Sequence, residues 1–129
     1  MKNKQKALVV VHPNNSYVHL ADEEVGKKNA RLFDSIAEKI GKIINVIPVY
    51  LLTSHLPKNE KYHTWTEISK YSDRLRVISS HNIGYRGQFL MAKEMLMRDG
   101  ITTPNLCGIA RHCCVKDLYN LFILMMISI

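Results

Sequence analysis

Apolar residues gather into four short continuous runs, and between them the apolar spacing turns helical. Ala7–Val11 is unbroken and rich in β-branched residues, the pattern of a central parallel strand covered on both faces. His12-Pro13-Asn14-Asn15 ends that run with turn residues. His12 is therefore predicted at the carboxyl end of the first strand, where open α/β sheets place their ligands. Asp22-Glu23-Glu24 supplies negative charge near a helix start. Val25, Leu32, Ile36 and Ile40 then follow at near-helical spacing, with Gly41 read as the stop.

Ile43–Leu52 reads as the second strand, with Pro48 inside it. Proline donates nothing to a ladder, so a bulge or an edge position is expected there. Thr53–Lys70 is polar and irregular, a loop of the kind that forms active-site walls. Arg74–Ser79 reads as a third strand, His81–Gly87 as a glycine-bearing loop, and Phe89–Arg98 as a helix ended by Asp99-Gly100. Asn105–Ile109 reads as the fourth strand and Cys114–Met126 as the last helix. The alternation predicts a single α/β domain over residues 1–129: three layers, α/β/α, around a mainly parallel, Rossmann-like sheet.

Composition narrows the class. A chain of 129 residues with 47% hydrophobic content is of globular type. Its three cysteines are an odd number without framework spacing, which argues against a disulfide scaffold and for a reducing, cytoplasmic setting. Leu121–Ile127 is the longest apolar stretch and is far too short to span a bilayer, so no membrane partner is expected. The formal charge of +7 is spread along the chain with no aromatic-interleaved basic motif. A solvated basic surface is expected, and no nucleic-acid partner. Gly84 and Gly87 have the spacing of neither a dinucleotide fingerprint nor a phosphate loop, and no cofactor is expected. His55 and His63 lie eight apart without a third ligand at a persuasive spacing. They are read as loop histidines, and His55 stays only a weak metal candidate.

Candidate chemistry concentrates in Leu106–Lys116, Leu-Cys-Gly-Ile-Ala-Arg-His-Cys-Cys-Val-Lys. A cysteine between a strand and a helix meets the helix's free N–H groups and positive dipole end, which stabilise a thiolate. The alternative is that Cys113 and Cys114 are small buried hydrophobes.

Gly108-Ile-Ala-Arg-His-Cys-Cys-Val resembles the nucleophile motif of the isochorismatase-like cysteine hydrolases, the superfamily that includes nicotinamidases. The resemblance aligns Cys114 with the nucleophile. It implies a cis peptide at Ile109–Ala110 and an oxyanion hole from the backbone N–H groups of Ala110 and Cys114. The first strand, the helix after it, Val46–Leu52 running into a His-bearing loop, and Phe89 before a helix fall in the family's order. A flavodoxin-like or response-regulator-like domain would need acidic or phosphate-binding residues at strand ends, and Val11-His12-Pro13 offers none.

Three positions depart from the family pattern. His12 stands where the family has an aspartate. No lysine lies between Leu75 and Phe89, and Ser80 and His81 are the nearest occupants of the lysine position. Thr53-Ser54-His55 keeps only the histidine of the nicotinamidase metal-binding Asp-x-His. The family's last strands are missing, and a C-terminally shortened domain is expected.

The resemblance implies a hydrolase that acts through a Cys114 thioester on a small amide or related C–N bond; with the family's aspartate absent, the neutral imidazole of His12 is read as the base, as in cysteine–histidine pairs. The other reading is an inactive or truncated member that binds a small ligand or a partner chain. Leu118–Ile129 carries no charge, and an uncovered apolar surface of that kind points to a homo-oligomer.

Overall fold

Ala7 to Val11 are each at most 2% exposed, as an internal strand between two helical layers requires. They belong to β1 (Gln5–Val11), followed in order by α1 (Glu23–Ile43), β2 (Val49–Thr53), α2 (Thr66–Ser69), β3 (Arg76–Ser79), α3 (Gly84–Arg98) and β4 (Ile101–Gly108). The computed structural model describes residues 5–54, 63–108, 116 and 118–120. Of the last predicted helix, residues 116 and 118–120 are described and are helical; the rest lies outside the described residues.

All strand pairs are parallel, in the order β3-β2-β1-β4. The chain walks from β1 to β2 to β3 in one direction, then returns to the far side of β1 for β4. Right-handed crossovers turn that reversal into two helical faces. Phe33, Ile36, Ala37 and Ile40 of α1, with Ile68 of α2, pack on Leu8, Val10, Val49 and Leu51. Phe89, Ala92 and Leu96 of α3 pack on Ala7, Val9, Val11, Tyr50, Leu52 and Ile78. Strand residues alternate between the two clusters with period two, and the result is the expected three-layer α/β/α domain.

α1 begins where the charges predicted. Asp22 accepts hydrogen bonds from the backbone N–H groups of Glu24 and Val25 at 3.1 and 3.3 Å, a side-chain N-cap. The helix does not stop at Gly41. That glycine sits under the Tyr71 hydroxyl, which a Cβ would approach to 2.7 Å, and the helix runs on to Ile43. Ile43, Ile44 and Ile47 are apolar because they cover the α1-side core from a helix end and turn, not because they form a strand.

Pro48 corrects a second expectation. It precedes β2, and its carbonyl accepts from Leu8 N–H at 3.1 Å. β2 lies inside the sheet, and the register irregularity falls between Gln5 and Lys6 on β1. α3 starts at Gly84, earlier than Phe89, and β4 starts at Ile101, earlier than Asn105. Thr102, Thr103 and Pro104 hid the start of β4 in the sequence; at the edge of the described sheet a strand tolerates polar residues and a proline.

Candidate functional site

Where strand order reverses, the carboxyl ends of two neighbouring strands diverge to opposite connections and leave a crevice. Here the reversal falls between β1 and β4, with Val11 opposite Gly108 in register. His12 is the next residue after Val11. It is 2% exposed, and its backbone is left-handed, with φ +47°. A histidine before a proline in that region carries strain on the order of 1–3 kcal/mol, so the surroundings must hold it there.

They hold it from three sides. The His12 ring lies 4.4 Å from the Tyr85 ring and 5.8 Å from the Phe89 ring, centroid to centroid. Its Nε2 is 2.7 Å from Oε1 of Gln88, a side chain with no exposed surface. Gln88 Nε2 donates to the carbonyls of Thr53 at 2.8 Å and Ile78 at 2.6 Å. One amide on α3 thus ties together the ends of β1, β2 and β3. Burial pushes the His12 imidazole below its ordinary pKa near 6.5, and the Gln88 contact offsets part of that shift. At neutral pH the ring is uncharged.

A second polar chain lies beside the first. Asn14 Nδ2 donates to Ser54 Oγ at 3.1 Å, and Ser54 Oγ and the Tyr85 hydroxyl are 2.8 Å apart. Asn14 Oδ1 is buried and has no hydrogen-bond partner among the described residues. The loop after β1 is clamped by the segment entering α2: Asn15 N–H donates to His63 O at 2.9 Å, and Trp65 N–H to Pro13 O at 2.8 Å.

Of the positions singled out by sequence, His12 is at this strand-order reversal. Cys114, Ala110 and His55 lie outside the described residues, as does the Ile109–Ala110 bond. Ser80 and His81 sit in the turn after β3, two strands from β1, a lateral offset of about 10 Å in a sheet. Ser80 N–H donates to Thr53 O at 3.1 Å, and His81 is exposed. The side chain that reaches His12 is instead Gln88, which the sequence reading missed. Its signal was a polar residue in phase with the buried face of α3, one turn before Ala92. Tyr85, Asn14 and Ser54 carried no comparable signal.

Thr53 and Ser54 do not fit a metal site. The Thr53 carbonyl already accepts two hydrogen bonds, and the Ser54 hydroxyl is engaged by Asn14 and Tyr85. Among the described residues, no three histidine, cysteine or acidic side chains gather as ligands. None of the described helices is long and apolar enough to cross a membrane.

A groove of about 620 Å³ runs along β4 on the α1 side, lined by Leu32, Ile36, Pro104, Cys107 and Tyr119 among others. Burial pushes the Cys107 thiol up to about 11, so it is protonated at neutral pH and is no nucleophile there. Neither a scan of protein-family models nor a search of curated proteins finds a match to this chain.

Proposed function

We propose that the chain is an isochorismatase-like hydrolase that cleaves a small amide or related C–N bond through Cys114, with His12 as the base. The observation that carries this reading is the neutral, fixed imidazole at the strand-order reversal, beside the residue from which the Cys114 segment departs. Cys114 is six residues beyond Gly108 in the chain.

In the proposed reaction the Cys114 thiol proton passes to the imidazole, and sulfur bonds to the substrate carbonyl carbon. The C–N bond breaks as the imidazolium returns the proton to the departing amine. Water then attacks the thioester with the imidazole as base, releasing the acid and the free thiol. A buried neutral imidazole is suited to the first step because one of its two ring nitrogens is free to accept a proton at neutral pH. Its lowered pKa makes it a strong proton donor in the second.

The test is acid quenching during incubation with a series of small primary amides, followed by mass spectrometry of the intact chain. A mass increase equal to the acyl group less the displaced thiol hydrogen, located on Cys114 and absent from Cys114→Ser, supports the reading. No adduct and no released ammonia across the series contradicts it.

The 2% exposure of His12 favours a second reading, a non-catalytic domain that binds a small ligand. Under it, the imidazole serves packing, and a ligand binds without turnover and without dependence on Cys114.

A further inference from the structure

A buried histidine has two neutral forms, and only the nitrogen without a proton can accept one. The groups around His12 select between them. Thr53 O and Ile78 O are acceptors only, so the Gln88 atom that faces both, at 2.8 and 2.6 Å, must be its NH2. That fixes the amide. Oε1 faces His12 Nε2 at 2.7 Å, and a carbonyl oxygen demands a donor.

We infer that Gln88 is a positioning residue: its amide, pinned by the Thr53 and Ile78 carbonyls, holds His12 as the Nε2–H tautomer and leaves Nδ1 as the proton-accepting nitrogen. The inference deepens the proposed function and rests on it only for what Nδ1 then does. In the opposite tautomer, a nitrogen lone pair and an amide oxygen would face each other across 2.7 Å in a buried site. Gln88 cannot turn over to relieve that clash, because rotation would aim its oxygen at two carbonyl oxygens. His12 cannot readily swing away, because its ring is packed against Tyr85 and Phe89. The preference for Nε2–H therefore exceeds about ten to one, as expected where the alternative leaves buried acceptors facing each other.

The placement has a consequence for the chemistry. A base on the Nδ1 side receives the thiol proton while Nε2–H stays bonded to Gln88, so the imidazolium that forms keeps one of its two donors satisfied throughout. A neutral amide, unlike a carboxylate, does this without raising the imidazole's basicity strongly. The arrangement fixes orientation and leaves charge out of the site.

The test is long-range proton–nitrogen correlation NMR on protein labelled with ¹⁵N-histidine at pH 7.5, with His12 assigned through His12→Asn. The expected result is a protonated Nε2 and a bare Nδ1 in the unmodified chain, and a mixed or reversed tautomer in Gln88→Leu. A bare Nε2 or a mixture in the unmodified chain overturns the inference without any variant, so misfolding of Gln88→Leu cannot shelter it. If Gln88→Leu folds and His12 keeps the same pure tautomer, the inference is also overturned. The proposed function fails separately: a locked Nε2–H tautomer together with Cys114 alkylation indifferent to His12→Asn upholds the role of Gln88 and rejects His12 as the base.

Discussion

Val11 of β1 and Gly108 of β4 are register partners at the carboxyl ends of neighbouring parallel strands. His12 follows Val11 in the chain, and Cys113 and Cys114 come five and six residues after Gly108. Strand order reverses there and nowhere else among the four described strands, the position at which open α/β sheets place their ligands.

Gln88 spans that end of the sheet, and its loss should be costly. Gln88→Leu removes a partner from His12 and leaves the buried Ile78 carbonyl and the part-buried Thr53 carbonyl without this donor. The expected destabilisation is about 3 kcal/mol, read as a lower urea midpoint at unchanged m-value. A loss under about 1 kcal/mol would mean that water or a shifted side chain replaces the amide.

His12 should make stability pH-dependent in a defined direction. Its pKa is lower in the folded chain than the unfolded value near 6.5, so the unfolded chain binds the extra proton first. The contribution is complete above pH 6.5 and is lost as pH falls from there through the folded pKa. Urea midpoints at pH 7.5 and pH 5 should therefore diverge more for the unmodified chain than for His12→Asn, whose side chain tolerates the left-handed backbone. An equal divergence in both would place the acid sensitivity elsewhere.

At the helix side of the fold, Gly26 is required by contact and not by backbone conformation. A Cβ there would stand 2.2 Å from the Val18 carbonyl oxygen, a backbone atom that cannot move alone. Gly26→Ala should cost roughly 2 kcal/mol or more despite alanine's better helix propensity. Gly41→Ala meets only the end of the Tyr71 side chain and should cost less. Thermal unfolding of the two variants side by side measures the difference.

Tyr50 donates to Asp99, which also pairs with Arg76 Nε at 3.5 Å. Burial first, then the Asp99 hydrogen bond and charge, push the Tyr50 phenol well above its usual 10. In an alkaline absorbance titration Tyr50 should stay un-ionised well above the usual phenol range, and Asp99→Asn should bring its ionisation down.

These findings separate what the sequence displays from what it conceals. β1 was legible because a strand covered on both faces must be apolar at every position, and the start of α1 because Asp22 is its cap. The first half of β4 was not, since at the edge of the described sheet Thr102 and Thr103 stand where an inner strand would need apolar residues. Ile43 and Ile47 misled for the opposite reason: a helix end lying over a core is as apolar as a strand. His12 was legible by position, as the residue after an apolar run. Gln88 was concealed because its partners come from β1, β2 and β3, a convergence that exists only after the crossovers are made.

The most direct test of the account is the pH dependence of iodoacetamide alkylation at Cys114, in a Cys107→Ser, Cys113→Ser background, with and without His12→Ala. The account predicts rapid alkylation well below the ordinary thiol range near 8.5, and a shift of the profile back toward that range when His12 is removed. A Cys114 that reacts as an ordinary or buried thiol, with a profile indifferent to His12, contradicts it.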